Sequence, residues 1–242
     1  HLGFRLPTLD SVEYGRGRER PVYFCTGRPQ GVFAYTNRTT GIASTAGKFA
    51  SAFALASKGL QNYLPELADT LRRKALDAYR FGRENPGVCQ TAPCRAPYFY
   101  EEDSWVDDME FAATQVARLY PDSGFGREAS AYGAQEPVTP WMGAEKARHY
   151  QWYPFVNLGH YFLARPGSPH RAEFLRHMRE GLERLRKRGE KNAFGFGLPF
   201  IWCSNNLVSA ALTQARLFRS LTGKTGYEEM ECMLRDWLFG CN

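Results

Sequence analysis

Tyr98-Phe-Tyr-Glu-Glu-Asp-Ser-Trp-Val-Asp-Asp-Met-Glu-Phe-Ala-Ala113 runs from an aromatic-acidic loop straight into a helix. The pattern changes at Trp105. Before it, three rings are followed by three acids; from it, residues 105–119 read as a helix that opens with acids in its first turn. Carboxylates are favoured there by the positive end of the helix dipole. The stretch gathers six of them, Glu101, Glu102, Asp103, Asp107, Asp108 and Glu110.

Working outward, helical patterns dominate. Residues 43–60 are Ala-rich, with Phe49, Phe53, Leu55 and Ala56 at helical spacing. Residues 65–84 carry Leu67, Leu71, Ala75, Leu76 and Tyr79 as a second stripe, which Pro86-Gly87 ends. Further helices are predicted over 127–135, 147–163, 169–188, 205–221 and 226–239, joined by short Gly/Pro connections such as Arg165-Pro-Gly-Ser-Pro169. Residues 1–42 are an irregular lead-in. In it, Val22-Tyr-Phe-Cys-Thr26 and Val32-Phe-Ala-Tyr-Thr36 flank a Gly/Pro turn, as a hairpin or two extended segments.

About eight helices with short connections make an all-α domain of antiparallel neighbours. An α-solenoid and an α/α toroid both fit. No fixed-period repeat of the solenoid kind is present. The chemistry-bearing residues fall in loops before helices, which suits a toroid whose cleft is built from loops at one end.

Composition narrows the function. The chain has 242 residues and 43% apolar content, enough for a substantial core in one large domain. A net charge of +6 invites a nucleic-acid reading. The main basic run, Arg184-Leu-Arg-Lys-Arg188, instead alternates with Leu182 and Leu185 as a solvated helix face, and no nucleic-acid motif is present. No apolar run approaches the roughly 20 residues of a membrane span. The six cysteines fit no zinc spacing; buried thiols, or one or two disulfides, are expected. Aromatics at 14% are abundant. They fill a core, or they stack on the flat C–H faces of sugar rings.

Four segments resemble glycoside hydrolase family 9, the cellulase and endoglucanase family. They are Thr40-Gly-Ile-Ala-Ser-Thr-Ala-Gly-Lys-Phe-Ala-Ser-Ala-Phe-Ala-Leu-Ala56, Tyr100 to Ala113, Gly197-Leu-Pro-Phe-Ile-Trp-Cys-Ser-Asn-Asn206, and Asp236-Trp-Leu-Phe-Gly-Cys-Asn242. The resemblance implies an (α/α)6 toroid glycosidase domain, apparently incomplete, of which residues 1–242 are one part. It implies hydrolysis of β-glucan or cellulose-type poly- or oligosaccharides with inversion. That chemistry needs an acid to protonate the leaving oxygen and a base to activate water. The family takes its base from Asp-Ala-Gly-Asp, which does not occur here, and its acid from a Glu past an Asn-Pro turn, whereas this sequence stops at Asn242. Both groups are therefore expected outside these residues, in the remainder of the same domain. Polymer substrates imply a secreted or periplasmic setting. A non-catalytic glycan-binding module, or another helical-toroid enzyme acting on uronate-containing polysaccharide, are the alternatives.

Three readings of the acidic stretch stay open. The acids raise one another's pKa and catalyse; they cap and complement a helix start; or they hold Ca²⁺, which takes six to eight hard oxygens. By resemblance a structural calcium would be held by Asp103, Ser104, Asp107 and Asp108, with Asn157 at the place of a further carboxylate. Trp152 matches a family position where an indole forms a sugar platform. Tyr98, Phe99, Trp141 and Trp202 are further cleft candidates. His149 and His160 lie eleven apart, too far for a one-turn metal pair, and read as core or hydrogen-bonding residues.

Overall fold

Small residues decide the first helix pair. Helix α1 (Ala43–Leu60) buries Ala43, Ala46, Gly47, Ala50, Ser51, Ala54 and Ser57, one stripe at three- and four-residue spacing. Helix α2 (Pro65–Glu84) answers with Ala68, Ala75, Tyr79 and Gly82. Where small residues meet the backbones approach closely: a Cβ on Gly82 would lie 3.0 Å from that of Ala46, and Ser57 Oγ donates across to the Ala68 carbonyl at 2.8 Å. This corrects the sequence expectation for α1, where Phe49 and Leu55 are exposed and small residues mark the packed face; on α2 the expected Ala75 and Tyr79 are buried and Leu67 is exposed.

The computed structural model describes residues 26–29, 31–32, 35–36, 38–89, 104–121, 123–139, 142, 157–198 and 204–240. Among them are eight helices and one short hairpin. Strand β1 (Gly31–Val32) pairs antiparallel with β2 (Tyr35–Thr36), Gly31 opposite Thr36 and Val32 opposite Tyr35. The reversal thus falls inside the stretch expected to be one extended segment, 32–36.

The remaining helices are α3 (Val106–Leu119), α4 (Phe125–Gly133), α5 (Leu158–Leu163), α6 (Arg171–Gly189), α7 (Ser204–Thr222) and α8 (Glu228–Phe239). Helix α4 starts two residues before the expected 127, because Gly124 takes the left-handed conformation (φ 80°) that sets its entrance. Helix α5 begins at Leu158 rather than running through from 147. Asn157 leaves helical geometry (ψ 84°), and its side chain accepts from the His160 N–H, capping the helix.

The chain forms two compact units, His1–Met109 and Glu110–Asn242. In the first, the turn after α2 is tied to the start of α1. Thr40 and Gly41 N–H donate to the Val88 carbonyl, and Cys89 N–H donates to Ser44 Oγ at 2.9 Å. A Cβ on Gly41 would collide with the Pro86 carbonyl, so only glycine allows this crossing.

In the second unit, α6 buries Phe174, His177, Met178, Leu182 and Leu185 and turns Arg184 and Arg186 outward, as the sequence pattern expects, whereas Arg188 of the same basic run is half-buried and donates to the Met142 carbonyl at 2.8 Å. Arg184 pairs with Glu180, and Arg186 with Glu183 and Glu190. Arg171 donates to the carbonyls of Ala164 (2.6 Å) and Leu221 (2.8 Å), supplying a cation to the C-terminal ends of both α5 and α7.

Candidate functional site

The head of α3 carries the described part of the acidic stretch. In the first unit, α1 passes it at Gly47: a Cβ there would lie 2.8 Å from the Asp108 backbone. That close crossing lays the next side chain along α3, and Lys48 Nζ reaches Asp108 Oδ2 at 2.7 Å. Lys48 is half exposed and Asp108 nearly buried. Ser104 and Asp107 are buried beside them in sequence.

In the second unit, Glu110 leaves the head of the helix for the interior. Its Oε1 lies 2.6 Å from His160 Nδ1, and His160 Nε2 lies 3.1 Å from the Pro137 carbonyl. A carbonyl only accepts, so Nε2 carries a proton, and a second proton is shared between Nδ1 and the carboxylate. Burial opposes a charge on this imidazole. The Glu110 charge and hydrogen bond, with the Pro137 carbonyl and Glu136, outweigh it and hold the His160 pKa above its ordinary value.

Two glycines make the room. A Cβ on Gly159 would come within 2.5 Å of the Glu110 carboxyl carbon, and one on Gly133 within 2.8 Å. Phe174 presents its ring edge-on to both His160 and His177, and the two imidazoles lie 5.5 Å apart. His177 is pushed below its ordinary pKa, by burial first and then by the charges of His160 and Arg176.

The geometry gives the three described acids distinct structural surroundings. Asp108 faces a lysine, Glu110 is 1% exposed against an imidazole, and Asp107 is buried. A catalytic carboxyl has to reach a substrate oxygen or an attacking water, whereas Glu110 is withdrawn from the surface against His160. Glu101, Glu102 and Asp103 lie outside the described residues, as do Tyr98, Phe99, Trp141, Trp152, Trp202 and His149. The structure therefore brings together Ser104, Asp107 and Asp108 at the head of α3, and it shows Asn157 as a helix cap.

Two of the expected calcium donors already have protein partners. One Asp108 oxygen already holds an ammonium, and the Asn157 carbonyl oxygen takes a backbone N–H. Among the described residues no three His, Cys, Asp or Glu side chains group as metal ligands.

The family model for glycosyl hydrolase family 9 matches residues 10–242. The chain belongs to this family. No match is found among curated proteins. Solved structures give the same answer at the level of fold. A metagenome-derived glycoside hydrolase family 9 endoglucanase is 20% identical, with a TM-score of 0.62, over 86% of this chain and 38% of its own. The structure of AaCel9A in complex with cellobiose-like isofagomine gives 20% identity and a TM-score of 0.65 over 83% of this chain and 38% of its own. A thermostable endoglucanase from Alicyclobacillus acidocaldarius gives 18% and 0.65 over the same shares. The family 9 chain described here thus spans about two fifths of the length of these structures. Their shared fold is the (α/α)6 toroid expected from the sequence.

The Glu110–His160 pair escaped the sequence reading of this family 9 segment. Glu110 reads as one more helix-start acid; His160 reads as a core or hydrogen-bonding residue, which it is, with its partner unassigned. The signal was Gly159 beside His160, a glycine inside a helix, which marks a close approach.

Proposed function

We propose that this chain is part of the catalytic domain of an inverting glycoside hydrolase acting on β-glucan or cellulose-type poly- or oligosaccharides. The observation that carries the reading is the family match over residues 10–242, supported by the fold shared with endoglucanase structures. Residues 1–242 then belong to one domain, with the rest of that domain as its partner. Inversion requires two carboxyl groups about 6.5–9.5 Å apart with water between them. The sequence holds no Asp-Ala-Gly-Asp, and within the acidic stretch Asp108 pairs with Lys48 and Glu110 with His160, so both groups are assigned to the remainder of the domain.

In this reading the chain contributes scaffold and cleft wall. Trp152 is the first candidate for a sugar platform, with Tyr98, Phe99, Trp141 and Trp202 as further aromatic contacts. A polymer substrate places the enzyme outside the cytoplasm, secreted or periplasmic. No helix among the described residues is long and apolar enough to cross a membrane. Calcium has no step in this reading, because Asp108 and Asn157 have other partners.

The test is reducing-sugar release from soluble mixed-linkage β-glucan. The 242 residues alone, shown folded by circular dichroism, should release none. A longer chain that adds the Asp-Ala-Gly-Asp segment and the terminal Glu should release sugar with inverted anomeric configuration, and Trp152→Ala in it should raise KM about ten-fold or more. Turnover by the 242 residues alone would overturn the assignment of acid and base. An inactive longer chain that still binds cello-oligosaccharides would favour a glycan-binding module.

A further inference from the structure

Two guanidinium groups converge on one phenyl ring in the second unit. Arg118 Cζ lies 4.9 Å from the centroid of Phe162, and Arg165 Cζ lies 5.8 Å from it. Phe111 stacks against the same ring at 5.9 Å. One cation over an aromatic ring is ordinary. Two on one ring repel each other, and a counter-charge should offset them.

Among the described residues no carboxylate lies within ion-pair distance of either arginine. Arg118 donates to the neutral Gln115 Oε1 at 2.6 Å. Burial, and then the positive charge of Arg165, hold Arg118 below its ordinary pKa. The contrast lies in the same unit. Arg184 and Arg186 are matched by Glu180, Glu183 and Glu190, and Arg219 by Glu228 and Glu231.

A pocket of about 280 Å³ opens beside the two cations, between the end of α3, the start of α4 and the α5–α6 turn. Ser168 lines it, and its oxygen accepts from the His170 N–H at 3.2 Å, a bond that does not use the hydroxyl proton. Gly126 forms part of the wall, and a Cβ there would meet nothing within 4 Å, so the space is open. A second described pocket, of about 220 Å³, contains Arg186 together with Glu190 and Glu229 and so carries its own counter-charges.

We infer that the pocket beside Phe162 binds a tetrahedral oxyanion, a phosphate or sulfate group, through Arg118 and Arg165. A carboxylate offers two coplanar oxygens, which one guanidinium fork satisfies. A tetrahedral group offers oxygens in several directions, to both arginines and to Ser168. The guanidinium is permanently charged and weakly hydrated, so exchanging water for such an anion costs little. The site is independent of the hydrolase reading and lies outside the acidic stretch. The group arrives as a free ion or as an ester on a sugar.

The test is calorimetric titration of the 242-residue chain with sodium phosphate, sodium sulfate and glucose 6-phosphate, at ionic strength held constant with chloride. Saturable binding is expected, weakened at least ten-fold in Arg165→Gln. That residue is exposed, so its loss should leave the fold and the circular dichroism unchanged. Arg118→Gln should weaken binding as well, and Arg165→Lys should retain part of it. Equal affinity for free and esterified phosphate assigns the free ion, and tighter binding of the ester assigns a phosphosugar. Absence of saturable binding, undiminished binding in Arg165→Gln, or response to sodium glucuronate alone would each overturn the inference.

Discussion

His160 Nδ1 lies 2.6 Å from Glu110 Oε1 across fifty residues of sequence, with both side chains almost wholly withdrawn from water. A charge pair so placed has lost its hydration and depends on its partners. Removing one member strands the other. Glu110→Gln should therefore cost about 3–5 kcal/mol of stability, read from urea unfolding followed by circular dichroism. The double variant Glu110→Gln/His160→Gln should cost clearly less than the sum of the two single changes. Additive losses would show that the two side chains act separately.

The pH dependence has two opposed limbs. His160 has a raised pKa when folded, so folding takes up a proton. Its stabilising contribution is full below the unfolded value of about 6.5 and is lost as pH rises through the folded value. His177 has a lowered pKa. Its contribution is present above about 6.5 and is lost as pH falls through the folded value. Within the histidine contribution, stability should peak between the two folded values. His160→Gln should flatten the alkaline limb and His177→Gln the acid one, with histidine C2-proton NMR titration tracking each ring. A His160 that titrates below 6.5 would refute the first limb.

Glycine variants should separate close packing from backbone freedom. Gly159→Ala drives a methyl group into the Glu110 carboxyl group and should cost about 1–3 kcal/mol. Gly59→Ala, on α1 with open space around it, should instead gain up to about 1 kcal/mol. Thermal melting of the two variants checks both signs. A neutral Gly159→Ala would mean the carboxyl group has room to move.

Lys48 and calcium can be tested together. Lys48→Met removes an ammonium that is half exposed, so the direct loss should be about 1 kcal/mol or less and should shrink as salt rises. Millimolar Ca²⁺ should leave the melting temperature of the wild-type chain where EGTA leaves it. A rise of several degrees with Ca²⁺ would show that Asp103, Ser104, Asp107 and Asp108 hold the ion after all.

Helix positions were legible because their signals are local. Pro86-Gly87 stops α2 whatever surrounds it, and Leu182 and Leu185 mark the inner face of α6 by spacing alone. The packed face of α1 was not legible in the same way. Hydrophobicity points to Phe49 and Leu55, whereas Ala43, Gly47, Ala50 and Ala54 are the residues buried, because close approach of helices selects for small size rather than for apolar surface.

Local pattern along the chain suffices for the all-α class, for most helix limits and, through four short motifs, for the family. Each of these rests on neighbours within a few turns or on residue order. Tertiary structure alone decided the fates of the acids. Asp108 found Lys48 sixty residues away and Glu110 found His160 fifty residues away. A carboxylate's role depends on which charge and how much water it meets, and helix packing sets both.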